Sequence, residues 1–200
     1  TASKKIKENE KSFTIVQSYY PVPVKYDKNK VLEIAQQIVN VFKLKDTPLL
    51  VQMIVNEDEY SVLEFSARMG GGSKYKLIDV LSGVNIMKTY VEMVMGGKPK
   101  VTPKRQFNNA IMSYVYCKPG VFSRLKNFDT LLNNKCIYDY FVYKIPDSVI
   151  EKSDTSSDRV AGFLVVGDSA EEVTEKLKYA NSQLQVLDNR GRDIMRHDLY

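Results

Sequence analysis

The chain has 200 residues, of which 44% are hydrophobic and 26% are charged, and its net charge is +5. This length can bury a substantial core in one large or two small domains, and no apolar run approaches membrane-spanning length. The lysines are spread among acidic residues, whereas a nucleic-acid site needs clustered positive charge, and the N-terminus lacks the apolar region of a signal peptide. We therefore expect a cytoplasmic protein that binds neither nucleic acid nor membranes.

The first hundred residues predict a strand, a helix, a hairpin and two more helices. Residues 12–20 have the composition of a strand, and Asp27 is placed to cap a helix over residues 28–42. A β-hairpin follows, and a glycine run separates it from helices over residues 74–82 and 85–95. The apolar positions of the last helix that we expect to face inward are Ile86, Tyr90, Met93 and Val94.

The second hundred residues become rich in strand-forming side chains after a connector of Gly, Pro and Lys residues. The strands expected in this half lie over residues 110–117, 138–145 and 160–166. A helix then begins at Ser169, because Ser169 and Glu172 have the spacing of a capping box. We predict an α+β fold: an antiparallel sheet with flanking helices over residues 1–100, followed by a small β-rich α/β domain over residues 101–200.

The predicted hairpin places polar side chains on one face. A three-residue loop over residues 57–59 would put Gln52 directly opposite Glu64. Because side chains alternate along a strand, Ser66 and Arg68 would share the face of Glu64. The positions expected to point the other way, into a core, are Leu63, Phe65 and Ala67. Polar groups on a central strand are costly unless they bind something, and oxygen ligands beside an arginine suit magnesium and phosphate.

This arrangement resembles the magnesium and ATP-phosphate site of the ATP-grasp carboxylate–amine ligases. In that family one strand carries Glu or Gln, here Gln52, and the next carries Glu-x-Asn-x-Arg, here residues 64–68. Ser66 stands where Asn is usual, and serine reaches less far as a ligand. The run Gly70–Ser73 resembles the small-residue loop beside the acceptor site. The resemblance is specific over residues 48–96 and looser elsewhere.

The resemblance implies ATP and Mg²⁺ as cofactors. Glu64 would be the bridging metal ligand, Gln52 the second ligand, and Ser66 a weaker third. Arg68 would stabilise the γ-phosphate or an acyl phosphate. Arg159 precedes a strand that resembles part of the family's C-terminal domain, and it would gate or anchor the substrate carboxylate. The loop residues that would let the backbone approach the bound ligands are Gly70, Gly71, Gly72 and Ser73.

The same resemblance implies a reaction that this chain cannot perform alone. The intact enzyme would form an acyl phosphate from ATP and a carboxylate, and an amine would then displace phosphate. Nothing in the chain resembles the half of the ATP-grasp domain that supplies phosphate-binding lysines and the adenine-binding strand, and no P-loop replaces it. We therefore expect an inactive C-terminal half whose partner is the missing N-terminal half of the same protein. Residues 1–100 would complete the catalytic domain, and residues 101–200 would resemble the C-terminal domain of biotin-carboxylase-like or amino-acid-ligase-like enzymes.

Alternatives stay open at this point. Two cysteines and one histidine argue against a disulfide framework and against zinc, and both thiols are expected to be reduced. The hairpin charges could be separate surface charges, Arg159 could be structural, and the chain could be a non-catalytic ATP-grasp-like binding module. Phosphoribosylamine–glycine ligase, carbamoyl-phosphate-synthase-like and amino-acid ligase activities share these motifs, so the substrates stay unidentified. A homodimer is an open alternative for the assembly.

Overall fold

The structure is a computed structural model that describes residues 4–9, 12, 14–22 and 25–200. The chain divides into two compact units. Unit 1 comprises Thr1–Val22 and Phe107–Tyr200, and unit 2 comprises Pro23–Gln106. Antiparallel sheets are combined with a few helices, which confirms the predicted α+β class. Within the described ranges, no helix is both long enough and apolar enough to cross a membrane.

The elements are named in chain order. The strands are β1 (Lys4–Lys7), β2 (Ile15–Tyr20), β3 (Leu50–Asn56), β4 (Glu59–Ser66), β5 (Asn109–Val115), β6 (Gly120–Lys126), β7 (Asp139–Val142), β8 (Val149–Ile150), β9 (Ala161–Gly167) and β10 (Gln185–Asp188). The α-helices are α1 (Lys28–Val41), α2 (Lys74–Ser82), α3 (Ile86–Val94), α4 (Phe128–Asn133) and α5 (Ala170–Gln183). Short 3₁₀ helices occupy Ser156–Asp158 and His197–Leu199.

Unit 1 holds the main hydrophobic core. Its five-stranded antiparallel sheet has the order β1-β2-β5-β9-β7, and a smaller sheet has the order β10-β6-β8. Every residue of β9 is buried, as is nearly all of β5, because these apolar runs occupy central positions in the sheet. Val173, Leu177 and Ala180 of α5 belong to the same core cluster as Phe163 and Val165 of β9. A strand covered in this way needs apolar side chains at successive positions.

Unit 2 consists of the β3–β4 hairpin and three helices whose ends follow local signals. The carboxylate of Asp27 accepts a hydrogen bond from the backbone N–H of Asn29 at 2.8 Å and begins α1. Asn85 begins α3 in the same way through the N–H of Lys88 at 2.9 Å. Gly83 ends α2 with a φ of 66°, a left-handed conformation that favours glycine. The predicted helices of this unit are therefore confirmed to within a residue at each end.

The N-terminal segment differs most from expectation. The strand predicted over residues 12–20 is β2, which begins at Ile15, while Phe13 lies outside the described residues. The sequence placed residues 1–22 with the first domain, but β2 pairs with β5, so this segment belongs to unit 1. The pairing joins strands far apart in the chain, and a local pattern carries no information about such a partner.

Candidate magnesium and phosphate site

The β3–β4 hairpin brings Gln52 and Glu64 directly opposite each other, as predicted. The predicted three-residue loop is wrong, because Asn56 pairs with Glu59 and only two residues form the turn. A regular ladder from that turn would place Leu63, and not Glu64, opposite Gln52. The register shifts between Gln52 and Met53, so that Leu63 becomes the extra residue of a β-bulge. The bulge therefore restores the pairing that the shorter turn would have removed.

The bulge also sorts the hairpin into an apolar and a mainly polar face. Residues that pair across an antiparallel ladder point to the same side of the sheet. The apolar face is formed by Val51, Met53, Val55, Tyr60, Val62 and Phe65. The opposite face is formed by Leu50, Gln52, Ile54, Asn56, Glu59, Ser61, Glu64 and Ser66. Leu63 and Ala67 are exposed, with 55% of Leu63 accessible, so the prediction that both enter a core is wrong.

Helix α1 contacts the apolar face of the hairpin at both ends. At the turn, the backbone N–H of Asp27 donates to the hydroxyl of Tyr60 at 2.6 Å, and the ammonium of Lys30 lies 3.6 Å from the carboxylate of Asp58. At the far end, the rings of Phe42 and Phe65 are 4.7 Å apart. The face that carries Gln52 and Glu64 is therefore the one turned away from α1. The sequence analysis did not identify Tyr60 as a helix contact, since its place opposite Val55 on the apolar face depends on the two-residue turn.

The donors on the polar face fit a magnesium–nucleotide complex better than a free metal ion. Glu64 is exposed, whereas Gln52 and Ser66 are half-buried. In the part of the chain that the structure describes, no three His, Cys, Asp or Glu residues are grouped to hold a metal. One carboxylate, one amide oxygen and one hydroxyl are hard oxygen donors, and magnesium commonly combines one or two protein carboxylates with phosphate oxygens and water. The residues present fit Mg²⁺ if the bound nucleotide supplies further ligands.

Arg68 lies beyond the end of the strand. Because β4 ends at Ser66, the alternation on which the prediction for Arg68 relied stops two residues earlier. The side chain is exposed, and its Nη1 donates to the carbonyl of the adjacent Met69 at 2.9 Å. Arg68 therefore lies near the hairpin because it follows β4 by two residues and not because of strand pairing. Its contact with a phosphate remains a prediction.

The glycine run forms a short loop that leads directly into helix α2. A Cβ at Gly71 would meet no atom within 4 Å, so this position has open space around it. Gly72 and Ser73 have φ values of 66° and 57°, and α2 begins at the next residue, Lys74. The left-handed region costs a non-glycine residue about 1 to 2 kcal/mol, so the conformation at Ser73 is unusual for its residue type. The loop therefore holds its backbone in a strained conformation beside a helix N-terminus, where anions are favoured.

Arg159 belongs to unit 1 and is 8% exposed. Its guanidinium lies 3.7 Å from the ring centre of Tyr114, its Nε donates to the hydroxyl of Tyr116 at 3.0 Å, and its Nη2 donates to the carbonyl of Ile15. Burial raises the pKa of Tyr114 to about 12, against the opposing effect of Arg159, so the phenol stays neutral. Among the described residues, Arg159 forms no ion pair with a carboxylate. The sequence held no signal for these tyrosine partners, because both lie on or next to β5, more than forty residues before Arg159 in the chain.

Comparisons with known proteins support the fold. No protein-family model and no curated protein matches the sequence. Solved structures do match: phosphoribosylglycinamide synthetase from Anaerococcus prevotii, with a TM-score of 0.75 and 16% identity, is matched over 94% of this chain and 49% of its own. L-amino acid ligase from Bacillus licheniformis has a TM-score of 0.68 at 17% identity, over 94% of this chain and 48% of its own. N5-carboxyaminoimidazole ribonucleotide synthetase from Thermotoga maritima has a TM-score of 0.65 at 16% identity, over 88% of this chain and 48% of its own.

These matched proteins are ATP-grasp enzymes, and this chain spans about half of their length. At such low identity the similarity establishes the fold and does not by itself establish the activity.

Proposed function

From the partial ATP-grasp fold of this chain, we propose that the intact protein is an ATP-dependent carboxylate–amine ligase. In this proposal the chain supplies the magnesium- and phosphate-binding face of the active site. The remaining half of the ATP-grasp domain supplies the phosphate-binding lysines and the adenine contacts. The observation that carries the proposal is the pairing of Gln52 with Glu64 on the hairpin face turned away from α1.

The proposed ligands have distinct roles that follow from their charge. Glu64 would hold magnesium through its carboxylate, and Gln52 would add a neutral oxygen from the neighbouring strand. Ser66, two positions beyond Glu64 on the same face, offers a hydroxyl that ligates or donates a hydrogen bond. Bound magnesium would neutralise phosphate charge as the phosphoryl group is transferred. The protein's share of the work is to position these oxygens before the reaction.

The proposed reaction has two displacement steps. A substrate carboxylate oxygen attacks the γ-phosphorus of ATP, the bond to the β–γ bridging oxygen breaks, and ADP leaves with that electron pair. An amine then attacks the acyl carbon, inorganic phosphate leaves, and the amine releases a proton. Arg68 is proposed to stabilise the transferring phosphoryl group, because a guanidinium matches two phosphate oxygens at once. That Arg159 anchors or gates the substrate carboxylate stays a prediction, and the buried contacts of its guanidinium with Tyr114 and Tyr116 favour the structural alternative.

The loop before α2 is proposed to border the acceptor. Gly71 leaves open space for a ligand to approach the backbone, and the left-handed residues that follow lead directly into the first turn of α2. The positive end of the helix macrodipole lies at this N-terminus and favours an anionic group. The proposed loop contacts are made by Gly70, Gly71, Gly72 and Ser73.

The experiment is a screen of the intact protein for ADP release with paired carboxylates and amines in the presence of magnesium. Release that requires one carboxylate and one amine together would support the ligase. ATP and magnesium binding without turnover on any pair would instead favour a non-catalytic ATP-grasp-like binding module. This second function is favoured by Ser66, because its side chain reaches less far than the Asn that is usual at this position and so makes a weaker metal ligand. The absence of both binding and turnover would remove the proposal.

A further inference from the structure

Unit 2 buries very little of its own apolar surface. Its fully buried hydrophobic side chains, among the described residues, are Leu77, Val80 and Leu81, all on α2. Neither α1 nor α3 contains a buried residue. The large core cluster of the chain lies in unit 1. Because the hydrophobic effect is the main force that holds a small domain together, these contacts alone give unit 2 little stability.

Helix α3 carries apolar side chains on two sides, and only one of these sides is partly covered within unit 2. Ile86, Tyr90 and Met93 are half-buried within the unit, as predicted. A second apolar stripe faces outward, with exposed fractions of 40% at Met87, 57% at Val91, 67% at Val94 and 81% at Met95. Val94 was expected to face inward, so that part of the prediction is wrong. The four outward residues are spaced by four, three and one positions, which places them on one side of the helix.

The polar part of α3 is correspondingly narrow. Its charged side chains are Lys88 and Glu92, four residues apart and therefore on one line along the helix. A helix that is apolar around most of its circumference is normally covered on more than one side. Contiguous exposed apolar residues on a globular protein usually mark a contact surface. The outward stripe therefore has the character of an interface that the described residues leave uncovered.

We propose that the α3 stripe, defined as Met87, Val91, Val94 and Met95, docks the other half of the ATP-grasp polypeptide. This inference rests on the proposed function, since it assumes that such a half exists. It is argued from the length of the matched structures, of which this chain spans 49% and 48% while 94% of its own residues are matched. The matched enzymes therefore carry about as much chain again, and a surface that is apolar in this half needs an apolar counterpart there.

The test compares the 200-residue chain with the intact protein by hydrogen exchange. The backbone amides of α3 from Tyr90 to Val94 should exchange at least about tenfold more slowly in the intact protein, because the stripe becomes covered. The amides of α5 in unit 1 serve as the internal reference and should change much less. Equal exchange of α3 in both forms, or a reading frame that adds no further segment to the 200 residues, would overturn the proposal. Protection that instead grows with the concentration of the 200-residue chain would assign the stripe to a second copy, and would also overturn it.

Two matched variants of the intact protein give a second readout. Val91→Glu places a charge in the stripe, and it should lower the melting temperature of the intact protein by several degrees while changing that of the 200-residue chain little. Lys88→Glu introduces the same side chain on the polar line of α3 and should be nearly neutral in both forms. Equal shifts in both forms for Val91→Glu would count against docking. Protected α3 in an intact protein without ligase activity would leave docking standing and remove the proposed function instead.

Discussion

Glu64 is the carboxylate on which the proposed metal site depends. In the intact protein, Glu64→Gln should lower the rate of ADP release about a hundredfold or more, because the amide keeps the shape but loses the charge that magnesium needs. The side chain is exposed, so the fold should be unaffected. Initial rates measured across a magnesium titration provide the check.

Glu59→Gln is the matched control for Glu64→Gln. Glu59 is also exposed and lies on the same hairpin face, but it pairs with Asn56 at the turn, away from Gln52. Its substitution should leave the rate within a few-fold of wild type. Equal losses of rate in the two variants, or an unchanged magnesium dependence in Glu64→Gln, would show that Glu64 does not bind the metal and that the rate depends only on the total charge of the hairpin.

Arg68→Lys tests whether the guanidinium contacts phosphate. We expect a large loss of rate with little change in melting temperature, because an ammonium cannot bind two phosphate oxygens in one plane. Among the described residues, the Arg68 side chain donates one hydrogen bond, to the carbonyl of its neighbour Met69, and one such bond contributes about 1 kcal/mol. Thermal unfolding and single-turnover rates are the measurements. A marked loss of stability with normal activity in the folded fraction would make Arg68 structural.

At the scale of single elements, α1 depends on its first turn more than on burial. None of its residues is buried, and the Asp27 carboxylate accepts the N–H of Asn29. Asp27→Ala should therefore weaken the start of α1 by about 1 kcal/mol, whereas Asp27→Asn keeps an acceptor and should cost much less. Hydrogen exchange of the amides in the middle of α1 should become about fivefold faster in the alanine variant alone. Equal exchange in both variants would contradict the role of the cap.

At the scale of the whole molecule, the two units should differ in stability. The central strands β5 and β9 are buried within the core cluster, whereas β3 and β4 form a two-stranded sheet without a buried residue. A two-stranded hairpin has little stability of its own. In the 200-residue chain, the amides of β5 and β9 should exchange at least about a hundredfold more slowly than those of β3 and β4. Comparable protection in both sheets would show that unit 2 is stabilised by contacts other than burial.

The 200-residue chain should also bind ATP weakly or not at all. The proposed phosphate face offers one carboxylate, an amide and a hydroxyl, while the lysines and adenine contacts of the other half are not among the motifs of this sequence. Calorimetric titration with magnesium and ATP should give no binding at micromolar concentrations, and the intact protein should bind under the same conditions. Micromolar binding by the 200-residue chain would contradict the assignment of nucleotide contacts to the missing half.

Local features of the fold could be predicted because their causes lie within a few residues. Asp27, Asn85 and Gly83 mark helix ends through bonds or conformations of the adjacent backbone, and the helices follow. The spacing of Gln52 and Glu64 identified their pairing, although the two-residue turn and the bulge at Leu63 were not anticipated. The turn is one residue shorter than predicted and the bulge adds one unpaired residue, so the two differences cancel and Gln52 still pairs with Glu64.

The sequence by itself determined the α+β class, the boundaries of α1, α2 and α3, and the polar pair on the hairpin, since periodicity and capping are local. Tertiary structure alone decided three further matters. It placed β2 beside β5, it buried Arg159 against Tyr114, and it left the α3 stripe exposed. Each depends on which distant segments meet, and side-chain pattern shows that a face is apolar without showing what covers it.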